Sequence, residues 1–124
     1  SCVALQNLGL KQEALNEYES LYLRTDRVDV LYTISFLQFE LKNLNESLTN
    51  LNILLENEQT EEMMVSVNKN QNERQEVSMR AQLNYLKGLV FLEQGKNDLA
   101  KESFNSAIEL SPEFNNAIEK LNSL

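Results

Sequence analysis

The chain has 124 residues, 42% of them apolar and 24% charged, with a formal net charge of −8 and no histidine. Length and apolar fraction suit one domain with a real core. The negative charge tells against nucleic acid, because an acidic module repels phosphate at long range, and Lys69, Arg74 and Arg80 form no dense cationic block.

Without histidine, Ser-His-Asp and Cys-His catalysis, histidine metal sites and the usual proton shuttle are unavailable. A lone cysteine, Cys2, allows no intrachain disulfide and none of the common structural zinc patterns. The three glycines stand apart at 9, 88 and 95, so there is no phosphate-cradling loop. Neither metal nor cofactor is expected. No run approaches the roughly 20 apolar residues of a membrane span, so no membrane insertion is expected.

In chain order, helices are expected over about 1–8 and 11–24, split at Gly9, then over 27–41 and 44–57. Helical periodicity then fails between Glu58 and Met79. Met63, Val65 and Val67 alternate, as do Gln75, Val77 and Met79, on either side of the polar run Lys69-Asn70-Gln71-Asn72-Glu73. Alternation about a polar turn is the hairpin pattern. A disordered loop, or an extension of the next helix, is the alternative. Helices resume over about 80–94, 97–110 and 113–123. Gly95 ends the first of these, where glycine takes φ > 0 cheaply. Ser111-Pro112 is expected to open the last, with Ser as N-cap and Pro in the first helical position.

The segment from Ala81 to Pro112 carries Tyr85, Gly88, Phe91, Gly95, Ala100, Phe104, Ala107 and Pro112. From Gly88 the steps are 12 to Ala100, 4 to Phe104, 3 to Ala107 and 5 to Pro112. Small residues at Gly88, Ala100 and Ala107 let two antiparallel helices approach closely, while Phe91 and Phe104 fill the space beside them. This resembles the tetratricopeptide repeat, a helix–turn–helix of about 34 residues. The same steps reach Ala14, Tyr18 and Leu21 from Cys2, and Ser47, Leu51 and Leu54 from Ser35. Cys2 is thereby expected to be a small packing residue and not a reactive thiol.

Cys2 and Ser35 are 33 residues apart, but Ser35 and Gly88 are 53 apart, so an insertion separates the second and third copies. The expectation is an all-α fold of antiparallel helix pairs in a right-handed superhelix, with an inserted β-hairpin. It comprises one domain over 1–124, with repeats at about 1–26, 27–57 and 81–112, an insertion at 58–79 and a capping helix at 113–123. The flanking repeats are expected to fold without the insertion. The start at Ser1, inside a motif, suggests a fragment of a longer protein. Repeats with a hairpin insertion look like bacterial repeat proteins, some of the cell envelope, and the compartment stays open between cytoplasm and periplasm.

In such arrays the first helix of each pair lines a concave groove. The resemblance projects Tyr32, Phe36, Phe39 and Glu40 there from the second copy, and Tyr85, Leu89, Leu92 and Glu93 from the third. Internal packing is the competing role for these residues. An apolar stripe with an acidic edge suits a partner helix or extended peptide with apolar anchors and a basic group. Co-chaperone repeats grip a C-terminal carboxylate through cations, but the matching places hold Asp29, Thr33, Gln82 and Leu86. That specialisation is not expected.

The 19 acidic residues, including the run Glu56, Glu58, Glu61 and Glu62, are expected to form solvated faces and not an acid–base pair. The function expected is protein or peptide binding without enzymatic activity. The alternative is an assembly role, packing on neighbouring domains or on a second copy of the chain as a homodimer.

Overall fold

Backbone in the left-handed region marks where these helices turn. In the computed structural model the non-glycine residues with positive φ, among the described residues, are Asp26 and Lys42, at 54° and 66°, and Gly95 joins them at 75°. The structure describes the backbone of residues 2–124 and the side chains of residues 7–124. The expected packing role of Cys2 lies outside the described side chains. The chain divides into two compact units, residues 1–54 and 55–124, where the sequence suggests one domain.

The first unit holds α1 (Cys2–Thr25), α2 (Val28–Glu40) and nearly all of α3 (Leu44–Glu56). The break expected at Gly9 is absent, because α1 runs through it as one helix of 24 residues. Gly9 is exposed, and a Cβ there would meet nothing within 4 Å. An isolated glycine costs a helix only about 1 kcal/mol, and no second stop signal reinforces it.

The chain turns instead at Asp26, whose N–H donates to the Tyr22 carbonyl at 2.8 Å. α2 folds back along α1, bringing Lys11 Nζ to 3.0 Å from the Glu40 carboxylate. At the end of α2, Lys42 N–H donates to Phe39 O and Asn43 N–H to Gln38 O. That pair of bonds is a Schellman stop, with lysine in the place glycine favours. Ser35 and Ser47 are both buried at the α2–α3 crossing, and the Ser47 hydroxyl donates to the Ser35 carbonyl at 2.8 Å. The hydroxyl is thus satisfied as two small residues bring the backbones together.

The second unit runs from a short 3₁₀ turn (Glu58–Thr60) through β1 (Met64–Asn68), β2 (Arg74–Ser78), α4 (Met79–Glu93) and α5 (Asn97–Leu110) to α6 (Asn115–Asn122). The strands pair antiparallel, Val65 opposite Val77 and Val67 opposite Gln75, so the alternating residues share one face as expected. Asn70 organises the turn, its side-chain oxygen accepting from the N–H groups of Asn72 and Glu73. β2 passes directly into α4, with Ser78 as N-cap accepting from Ala81 N–H at 3.0 Å.

The hairpin packs against the helices of its own unit. Val77 is 1% exposed and shares a core with Ala81, Ala107, Phe114 and Ala117, on which Val65 and Val67 also pack. At the α4–α5 crossing Gly88 meets the Phe104 ring, while Ala100, Phe104 and Ala107 are fully buried. Gly95 closes α4 with the same pair of bonds that ends α2, Gly95 N–H to Leu92 O and Lys96 N–H to Phe91 O.

The expected start of the last helix is corrected. Phe114, not Ser111, is its N-cap residue, and the Ser111 hydroxyl accepts from Ser78 N–H at 3.1 Å. Residues 111–114 stay irregular so that Phe114, 0% exposed, can enter the core.

Candidate functional site

The sequence-derived stripes fall on separate units, and each is described within its own. On α2 the buried side carries Val30, Leu31, Ile34 and Ser35. Tyr32 and Phe39 are half-buried, and Phe36 is 40% exposed at mid-helix. Lys42 Nζ lies 5.7 Å from the centre of the Phe39 ring, within cation–π range. Glu40 is not an unengaged acidic edge, since it pairs with Lys11. With the two side chains 37% and 28% exposed, that pair contributes only about 0.2–1 kcal/mol.

On α4, Leu89 and Leu92 are half-buried and Glu93 is exposed. Tyr85 packs between two phenylalanines, its ring centre 5.8 Å from that of Phe104 and 5.3 Å from that of Phe114, each tilted by 49°. Such pairs contribute about 0.5–1.5 kcal/mol beyond burial, so packing is the first role of this tyrosine. Burial raises its phenol above the ordinary 10.0, and the charge of Glu119 pushes the same way.

Of the four places that co-chaperones use for a carboxylate, Gln82 and Leu86 are buried at 8% and 2% exposure. Asp29 is chelated by Arg27, at 3.0 and 2.6 Å. None of these four residues supplies a cation.

A third surface escaped the sequence. Beside β2 runs a groove of about 840 Å³, walled by Arg74–Val77 and by Leu110–Phe114. Side-chain amides hold its walls in place. Gln75 donates to Glu113 O and accepts from Asn115 N–H, both at 2.9 Å. Asn115 donates to Lys69 O at 3.0 Å, and Asn116 to Asn68 O at 2.8 Å. The adjacent asparagines after Pro112 were the available clue, since the amides of such a pair can fasten one backbone to another.

Among the described residues no three potential acidic or thiol ligands cluster where they could hold a metal. No described helix is long and apolar enough to cross a membrane. No curated protein matches the chain. A family model, Tetratricopeptide repeat, matches residues 81–114, which span α4, α5 and the turn that delivers Phe114 to the core. The spacing of Gly88, Ala100, Phe104 and Ala107, their burial at one helix crossing and the family match agree. The chain therefore carries a tetratricopeptide repeat, built by α4 and α5.

Proposed function

We propose that the chain binds a partner protein, presenting a helix or an extended peptide, and that the apolar stripe of α2 and that of α4 each offer a contact surface within its own unit. The tetratricopeptide repeat supports the general role, because such repeats are protein–protein interaction modules and typically non-catalytic. The observation that carries the residue-level reading is Phe36. It is a large aromatic side chain left 40% exposed while Leu31, Ile34 and Ser35 on the same helix are buried. Aromatic anchors dominate binding energy where a partner desolvates them, and charges at the rim mostly steer the encounter. Within the second unit, Leu89 and Leu92 form the apolar stripe of α4, and Glu93 gives it an acidic rim.

The test is affinity capture with the immobilised chain, followed by titration of the captured protein against wild type and Phe36→Ala. An anchor should lose about 1 kcal/mol or more of binding, roughly fivefold in Kd, while the melting curve stays unchanged. Full-strength binding by a folded Phe36→Ala variant rejects the α2 stripe as the contact.

A further inference from the structure

We infer that the outer edge of β2 takes up an extended segment of a partner protein as a third strand, one that alternates basic and apolar side chains. The argument begins with the phase of the ladder. Lys69 N–H donates to Glu73 O at 2.9 Å at the turn, and Met79 N–H donates to Met63 O at 2.8 Å at the far end. The register places Val65–Val77 and Val67–Gln75 in the same phase. Hydrogen-bonded pairs alternate with non-bonded ones in an antiparallel ladder. Arg74, Glu76 and Ser78 therefore turn their backbone N–H and C=O groups away from β1.

Ser78 shows this directly, because its N–H leaves the sheet to reach Ser111 Oγ at 3.1 Å. Beyond Ser78, among the described residues, no strand pairs with β2 on that side. A strand edge of this kind is a template for another chain. Here it opens into the groove of about 840 Å³ whose opposite wall is Leu110–Phe114.

The lining selects the occupant. Three carboxylates, Glu73, Glu76 and Glu113, face two cations, Lys69 and Arg74. Arg74 is already committed to Ser66 and Asn68, with contacts of 2.7–3.0 Å, and Lys69 Nζ lies 4.0 Å from the Glu73 carboxylate. Glu76 and Glu113 remain to meet basic side chains, and Leu110, 49% exposed, meets an apolar one. Successive side chains of a strand point to opposite faces, so alternation satisfies both demands. The chain's net charge of −8 favours such a peptide at long range as well.

The test uses the amide-capped octapeptide (Lys-Val)₄, titrated into the isotopically labelled chain and followed by amide chemical shifts. Saturable shifts confined to Arg74–Val77 and Leu110–Glu113 are expected. The (Glu-Val)₄ peptide should bind at least tenfold more weakly. Two further peptides carry N-methyl groups on alternate amides, one in each phase. The phase facing β2 should lose tenfold or more, and the other should bind as the parent does. Glu76→Pro removes an outward N–H together with one of the groove's carboxylates and should weaken binding at least fivefold. Should that variant unfold, the methylated pair decides without any mutation. Phe36→Ala should leave peptide affinity unchanged, which separates this edge from the α2 stripe. Equal affinity for both methylated peptides, or shifts on α2 and α4 with β2 unmoved, overturns the inference.

Discussion

Replacing glycine by alanine should change stability in opposite directions at two helical positions of this chain. Within α4 a Cβ on Gly88 would lie 2.4 Å from Phe104 Cε1 and 2.7 Å from both Cδ1 and Cζ. Ordinary contact begins at about 3.4 Å, so the ring must retreat by roughly 1 Å. It has nowhere to go, because Phe104 is fully buried and Tyr85 packs on it with ring centres 5.8 Å apart. Overpacking of this kind costs about 1–3 kcal/mol, while alanine returns about 1 kcal/mol of helix propensity. Gly88→Ala should therefore destabilise by up to about 2 kcal/mol. Gly9→Ala meets nothing within 4 Å and keeps only the propensity gain, a stabilisation of about 0.5–1 kcal/mol. Gly95→Ala, forced to hold φ at 75°, should lose about 1–2 kcal/mol from backbone strain alone. Urea unfolding monitored by circular dichroism measures all three. A Gly88→Ala variant more stable than wild type would refute the close crossing of α4 and α5, and with it the repeat register.

Phe114→Ala should cost about 3–5 kcal/mol in the same unfolding assay, because the ring is fully buried in the core that joins hairpin and helices. Val77→Ala should cost about 1.5–3 kcal/mol if the hairpin belongs to that core, and replacing residues 62–78 by a flexible linker should lower the melting temperature further. An unchanged melt for either variant would return the hairpin to the status of an appendage. Folding favours the protonated Tyr85 phenol, whose value lies above 10.0 in the folded chain. That contribution is complete below about pH 10 and is lost as pH rises through the folded value, so Tyr85→Phe should flatten the alkaline fall in stability. What remains belongs to groups such as Tyr22, raised first by burial and then by Asp26.

Most of the helices were legible because small residues at helix crossings obey strict spacing. Gly88, Ala100 and Ala107 marked α4 and α5, and the Ser35–Ser47 pair marked α2 and α3 by the same logic. The hairpin was legible from alternation, since Val65, Val67 and Val77 must share a face. Its role in the core was not. Burial of Val77 depends on Phe114 and Ala117, which lie far along the chain, and nothing local announces that meeting. Gly9 misled because a glycine stops a helix only where its φ turns positive, and composition does not reveal φ. Lys42 escaped notice for the converse reason, being a lysine in the place that Gly95 fills later. For the site, the resemblance projected Phe36 onto a groove stripe with internal packing as the competing role, while the demands on Glu40 and Tyr85 emerged only with their partners Lys11, Phe104 and Phe114. The β2 edge needed the ladder's phase, which follows from which backbone bonds form and not from residue type.

Hydrogen-exchange footprinting of the chain with and without its captured partner addresses the binding surface most directly. Protection on binding is expected across α2 around Tyr32–Phe39 and across α4 around Leu89–Glu93, leaving α5 as it is in the free chain. Protection that spares both stripes and falls on α5, or solely on Arg74–Val77 and Leu110–Glu113, would contradict the proposal that the α2 and α4 stripes carry recognition.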